Sequence, residues 1–402
     1  MNNLLLRIIF PCFFITLYSN AYAQNSQTRN YKTATVMFYN VENLYDTIKS
    51  ADIINGNLLP EDPNYQISVP EDSALASGLE IYKGELSFEK LKGKQVIRKQ
   101  ILTDEFYYQG TKVWNSKKYQ QKISNLAKVI SEAGRTETHA SPAIVGLCEV
   151  ENEHVLNDLC KELRKKGSVY GFVHFNSFDA RGVDTGLLYD KSRFIVTGQK
   201  RLIVSLERNS GYREYTRDIL WVEGLLDGEK MYFFVNHWPS RRGGEQASMP
   251  KRIKAAEVLK KAMDSILTVN PDAKILAMGD YNDDPTSPSI KKTIGTFSRK
   301  SDIKKGLYFN PAEQLYKKGS GTLAYQDIFS FFDQQIMSPA MVSNPNQGYQ
   351  YYSMNVFSPL YLTTKEGQWK GYPFRSFSGD NYTGGYSDHF PVYTILIKEI
   401  NP

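Results

Sequence analysis

Acidic and polar residues of this chain gather where short apolar runs stop. The run from Ile275 to Met278 opens directly onto Gly279-Asp280-Tyr281-Asn282-Asp283. Near the end of the chain, Ser387-Asp388-His389-Phe390-Pro391-Val392 again sets a carboxylate and an imidazole against an apolar stretch. A carboxylate at the end of a buried strand loses hydration, which is costly unless it meets a cation or a substrate. Two such strand ends in one chain point to a metal-dependent site.

Four more blocks stand in a telling order. Phe38-Tyr39-Asn40-Val41-Glu42-Asn43 comes first, then Gly146-Leu147-Cys148-Glu149-Val150-Glu151-Asn152, then Asn236-His237-Trp238-Pro239-Ser240-Arg241, then Phe332-Asp333-Gln334-Gln335-Ile336-Met337-Ser338. With the Asp280 and Asp388 blocks they resemble the endonuclease/exonuclease/phosphatase superfamily, the phosphoesterases of the pancreatic-deoxyribonuclease type, over residues 34–397. A Gly-Asp-x-Asn turn alone would be weak, since such turns are common beside strands; the ordered set is specific. The resemblance implies an α/β fold, a four-layer sandwich of two packed mixed β-sheets flanked by helices.

The same residues suit phosphoester hydrolysis. A phosphodiester resists attack because its anion repels the nucleophile and its leaving alkoxide is a strong base, so a catalyst must neutralise charge, deprotonate water and assist the leaving oxygen. By the family pattern Asn40, Glu149 and Asp388 are the metal ligands, and such hard oxygen donors suit Mg²⁺ or Mn²⁺ better than zinc. Asp280 is then the candidate base, and Asn282 holds the water or a phosphate oxygen without adding charge. His389 donates to a non-bridging oxygen with Asp333 fixing its tautomer, and His237 donates from the opposite side.

Other candidates rest on weaker patterns. Arg181-Gly182-Val183-Asp184 matches a subgroup pattern that would put Arg181 and Asp184 on the site, Arg181 as a phosphate contact. Arg241, just after His237 on a Gly-rich loop, is a further substrate contact, whereas Lys251, Arg252 and Lys254 read as a solvated helix face. The aromatic stretch from Trp369 to Tyr386 carries Arg375 and Tyr382 toward Asp388; its rings either stack on bases and sugars or pack the loop onto the domain. His139, His154 and His174 lack such company and read as surface or core-edge histidines.

The elements that position these residues are a run of strands alternating with amphipathic helices. Tyr119, Ile123, Leu126, Ala127 and Ile130 form one helical stripe, stopped near Gly134, before a strand from Ala143 to Leu147. A second helix follows Asn152, and a third starts near Ser248 and Pro250 and buries Ile253, Ala256, Leu259, Met263 and Ile266. Residues 47–110, with Pro60, Pro63 and Pro70 among scattered acids, read as an insertion. Residues 1–23 read as a signal peptide: Arg7, an apolar run over 4–17, and Ala21-Tyr22-Ala23 before Gln24. That predicts an exported domain over 24–402, periplasmic or extracellular. Its apolar run is short for a membrane span, so no stable membrane insertion is expected.

Loss of the segment removes one Arg and no acid, lowering the formal net charge from +6 to +5. That mild charge argues against strong nonspecific duplex binding. Cys148 and Cys160 then remain, read as buried thiols rather than a disulfide. The expected function is an exported Mg²⁺- or Mn²⁺-dependent phosphoesterase, first a monomeric nuclease on DNA or RNA. Phosphomonoester and phospholipid-headgroup hydrolysis are the alternatives, and an inactive binding protein of the same fold is the remote one.

Overall fold

The chain builds two large sheets, each centred on a parallel strand pair joined through a helix. In the computed structural model the described residues are 30–47, 105, 106 and 110–400, apart from 178, 180, 208–212, 215, 305 and 344–347. The expected signal segment, and nearly all of the insertion expected at 47–110, lie outside them.

β1 (Asn30–Leu44) leads to α1 (Ser116–Glu132) and back into β2 (Ile144–Val150). Then come α2 (Glu153–Lys165), β3 (Tyr170–His174), β4 (Asp184–Asp190) and β5 (Phe194–Leu202). β6 (Ile219–Leu226), β7 (Glu229–His237), α3 (Glu245–Val269) and β8 (Lys274–Asp280) form the second half's centre. The chain ends through β9 (Thr296–Phe297), β10 (Tyr308–Phe309), β11 (Asp333–Met337), β12 (Gln350–Val356) and β13 (Val392–Ile400). The first sheet has the order β12-β13-β1-β2-β4-β3 and the second β9-β10-β11-β8-β7-β6-β5. β1 and β2 are parallel, as are β7 and β8, while β13 beside β1 and β11 beside β8 are antiparallel.

Alternation along the strands fixes the layers. Phe38 and Ile144 face Phe233, Leu276 and Met278 between the sheets, whereas Met37, Tyr39 and Leu147 face outward onto Ile123, Leu126 and Ile130 of α1 and Leu156 and Leu159 of α2. On the far side Phe234, Ile275 and Ala277 pack on Ala256, Leu259 and Met263 of α3. The result is the helix-sheet-sheet-helix sandwich that the resemblance implies. Asn115 caps α1 through Lys118 N, and Asn152 caps α2 through the amides of His154 and Val155, which sets where each helix starts.

Some expectations need correction. α3 starts at Glu245, earlier than Ser248, and its Ile253 and Ile266 are only half-buried, while Arg252 is fully buried. Cys148 and Cys160 are free, but only Cys148 is fully buried. Ser387-Asp388-His389 does not end a strand; it precedes β13. Because β13 is antiparallel to β1, and β11 to β8, the entries to β13 and β11 reach the edge where β1 and β8 end. That edge carries the candidate site. No described helix is long and apolar enough to cross a membrane.

Candidate active site

The ends of four strands from both sheets meet at one cleft of about 520 Å³, lined by Asn40, Glu149, His237, Asp280, Asn282 and His389 among others. Asn40 Nδ2 donates to Asp280 Oδ2 across the two sheets at 3.1 Å. That same oxygen lies 3.7 Å from His237 Nε2 and 4.0 Å from His389 Nε2. Both gaps exceed a hydrogen bond, so the space between the imidazoles has room for a substrate oxygen or a water. Asn282 N donates to Asp280 Oδ1 at 2.9 Å, and Asn282 Nδ2 to Trp238 O at 2.9 Å.

The backbone is strained where these groups emerge. Glu42, Asn43, Glu149 and Asn282 all have left-handed φ, at 50°, 55°, 64° and 50°. Non-glycine residues pay for that conformation, and it persists only when surroundings hold it. Here the holding bonds are visible: Asn43 N donates to Glu149 Oε2 at 3.0 Å and Glu42 N to Asn40 Oδ1 at 3.0 Å. Gly279, just before Asp280, allows the close approach of β8 to β7, since a Cβ there would lie 2.5 Å from Asn236 O.

Charge is set differently at each group. Burial pushes the Asp280 carboxyl up, His389 pulls it down and Asp333 pushes it up again, leaving it at about 6. Burial alone would lower His389, but Asp333 Oδ2 at 2.7 Å from Nδ1 holds it well above the usual histidine range. His237 goes the other way, neutral through burial and the nearby Arg217. The two histidines therefore differ: one is a held cation, the other a neutral ring. His389→Ala is expected to cut turnover roughly 10²- to 10³-fold, as loss of a preorganised donor does. Asp333→Asn should act through the same ring, so the double variant should be little worse than His389→Ala alone; additive losses in a double-mutant cycle would show that Asp333 acts elsewhere.

The donor set fits a hard divalent cation. Burial would raise the Glu149 carboxyl, but the Arg181 guanidinium holds it well below the usual carboxylate range, so it is charged. Of about four lone pairs on a carboxylate, Glu149 gives two, from Oε2 to Asn43 N and from Oε1 to Arg181 Nη1, with Arg181 Nη2 as an ion pair 3.1 Å from Oε2, so Oε1 keeps one. Asn40 Oδ1 likewise accepts one bond and retains a lone pair. Cys148 stands within 4.8 Å of His237 and Asp280, but burial pushes its thiol up, so no soft thiolate competes. Asp388 is the exception in the expected ligand set. Its Oδ2 accepts from Arg375 Nη2 at 3.1 Å rather than lining the cleft beside Asn40 and Glu149.

The weaker candidates divide. Arg181 lines the cleft, gripping Glu149 and Asn43. Asp184 does not: its carboxylate accepts from Ser177 N at 2.7 Å and lies 3.1 Å from His174 Nε2, which ties β4 to the loop after β3. Arg241 turns away to brace the Asn282 loop, donating to Asn282 O at 3.0 Å and to Asp284 Oδ2 at 3.1 Å. Its neighbour Arg242 lines the cleft instead. Tyr382 packs on Phe377 and Trp114, with ring centroids at 5.3 and 6.3 Å, so packing rather than base stacking occupies it. Arg375 bonds Glu42 and Asp388 at the rim.

Sequence reasoning passed over several groups. Arg217 is buried on the cleft wall, bonding Asp179 at 3.1 Å and Trp238 O at 2.8 Å. Lys122 of α1 is buried too, donating to Ser376 Oγ and Tyr386 O at 2.6 Å each and so fastening the segment that leads to His389. Its position on the apolar stripe between Tyr119 and Leu126 was the available signal. Arg252 is no solvated residue: its Nε lies 2.7 Å from Asp283 Oδ1, behind Asn282. Arg252→Ala should leave that buried carboxylate with only the longer Arg241 contact at 3.4 Å and the Ser289 hydroxyl, and cost about 3 kcal/mol in urea unfolding; a loss under about 1 kcal/mol would show that Arg241 suffices.

Comparison with known proteins follows this geometry. Comparison with curated proteins found no match. Among solved structures, an endonuclease/exonuclease/phosphatase family protein from Bacteroides thetaiotaomicron is 15% identical, covers 93% of this chain and 98% of that one, and gives a TM-score of 0.48. The mannosyl-6-phosphatase of the same organism is 15% identical over 92% of this chain and all of its own (100%), with a TM-score of 0.48. D. rerio TDP2 complexed with single strand DNA product is 15% identical, with 90% and 98% covered and a TM-score of 0.43. The family model described as endonuclease/exonuclease/phosphatase family matches residues 95–398. The chain belongs to that family, whose members are metal-dependent phosphoester hydrolases.

Proposed function

We propose that the protein is an exported Mg²⁺- or Mn²⁺-dependent phosphodiesterase acting on nucleic acid. The observation that carries the reaction is Asp280 Oδ2, placed between two imidazoles at 3.7 and 4.0 Å and bonded to Asn40 from the opposite sheet. A nucleic acid suits the open cleft because Arg242, exposed and without a carboxylate partner among the described residues, lines it beside Arg181 and Arg217, which Glu149 and Asp179 hold, so a phosphate beyond the reacting one also meets positive charge. Export is supported by the leader pattern over residues 1–23 alone.

Each residue then has a task. Asp280 takes the proton of an attacking water that Asn282 helps to orient, and His389, held charged by Asp333, donates to a non-bridging oxygen of the phosphate. His237, from the other side, donates from Nε2 to the phosphate or the leaving oxygen. Asn40 and Glu149 would hold the cation, and Asp388 would exchange Arg375 for it to join them. When bound, the cation supplies charge neutralisation at the phosphate.

Purified residues 24–402 assayed on plasmid, single-stranded DNA, RNA, a chromogenic phosphodiester, a phosphomonoester and sphingomyelin test the reading. Polymer cleavage with the small diester also hydrolysed is expected. Turnover of the monoester or of sphingomyelin alone would replace nucleic acid as the substrate.

A further inference from the structure

The cleft does not stop at Arg181 and Arg242. Both side chains also line a second cavity of about 410 Å³, on the far side of Asn43. Its base is aromatic, with Phe106, Trp114 and Phe377 packed around one another at centroid distances of 5.8 and 5.9 Å. Its walls add Lys112, Lys122 and Arg375. Against these cations the described lining sets only the carboxylates of Glu42 and Glu105. Carboxylates beyond the lining also meet three of these cations, Asp380 at Lys112, Asp388 at Arg375 and Glu149 at Arg181, so a phosphate would exchange with them there and meet an uncommitted cation at Arg242.

Arg242 sharpens the case. It is exposed and pairs with no carboxylate among the described residues, whereas Arg241 beside it takes Asp283, Asp284 and Glu245. A guanidinium at the junction of two cavities, left without an internal partner, is placed to meet an anion that spans both.

We propose that the second cavity receives a second phosphate of the substrate. The substrate class is a nucleoside phosphodiester that carries a further phosphate, with the diester among Asp280, His237 and His389. The further phosphate lies past Arg242, toward Lys112 and Arg375, and the ring between them passes over the aromatic base. This rests on the phosphodiesterase reading of the cleft but extends it, because hydrolysis of a diester needs no second phosphate.

Equilibrium binding by calorimetry tests the cavity apart from catalysis. The probes are thymidine 3′,5′-bisphosphate and the two thymidine monophosphates, titrated into residues 24–402. The bisphosphate should bind about tenfold or more tighter than either monophosphate, the worth of a charge-assisted contact. Lys112→Gln should remove most of that advantage and leave monophosphate affinity unchanged. Lys112 also holds Gly379 O and Asp380, so Arg242→Gln serves as a second variant whose side chain makes no such internal bond, and it should also shrink the advantage. Equal affinities in the wild type, or an advantage kept in both variants, would overturn the proposal. Thymidine 5′-(p-nitrophenyl phosphate) separates the two readings. If it is not hydrolysed while the bisphosphate advantage persists, the diesterase reading falls and the second site stands; hydrolysis without any advantage does the reverse.

Discussion

Removing divalent cations with EDTA should abolish phosphoester hydrolysis, and Mg²⁺ or Mn²⁺ should restore it. The expectation follows from the donors. Glu149 is held charged by Arg181 and keeps a lone pair on Oε1, and Asn40 offers an amide oxygen from the neighbouring strand end. Neither residue can take a proton from water or give one to a leaving group at neutral pH, so their convergence on the cleft is explained by a cation rather than by acid–base work. Glu149→Gln keeps the shape and loses the charge. That variant should need a higher metal concentration for half-maximal activity, with saturating metal recovering part of the rate. The measurement is activity against free Mg²⁺ after exhaustive chelation. Full activity in a metal-free sample would sink the idea, and an unchanged metal requirement in Glu149→Gln would strike Glu149 from the ligands.

How much of this was legible follows from which interactions are local. Asn40, Glu149, His237 and Asp280 each close an apolar run, and the physical rule that a buried run ends in polar atoms only where something meets them singles those positions out. The layers came from the resemblance and not from the strands, because Met37, Phe38 and Tyr39 alternate in neighbour and not in polarity, whereas α1 and α2 carry clear stripes. What failed was direction. Arg241 and Arg242 are adjacent, and which one enters the cleft is decided by the turn at Gly243 and Gly244, with φ of 84° and 108°. The Arg-Gly-x-Asp pattern points Asp184 to the site, but the partner that takes it instead, His174, is brought to it only by the pairing of β3 with β4. Asp388 lies next to a well-placed His389, yet the chain bends at these two residues and Asp388 meets Arg375. The aromatic company of Tyr382 points it toward substrate, and that same company packs against it and leaves it half-buried. Long-range partners, not local pattern, settle each of these.

Asp280→Asn should lower turnover by about 10²- to 10⁴-fold, the usual worth of a positioned base. The residue sits where a base must be, between the two imidazoles and beside Asn282, and its carboxyl is pushed up by burial to about 6. A raised folded pKa means that the ionised form is disfavoured by the fold, so stability is lost as pH rises from the unfolded value through about 6. An amide removes that penalty, which for roughly two pH units is on the order of 3 kcal/mol. It also introduces one: both carboxylate oxygens accept, from Asn40 Nδ2 and Asn282 N, and an amide can satisfy only one of them, a loss of about 1–3 kcal/mol. The two effects nearly offset, so in metal-free buffer at neutral pH the unfolding midpoint should move little while turnover collapses. The wild-type rate should also fall as Asp280 takes up its proton in acid, and the residual rate of the variant should lack that limb. Wild-type turnover in Asp280→Asn would remove it as the base, and a collapse of stability equal to the collapse of rate would show that Asp280 holds the strand ends together instead.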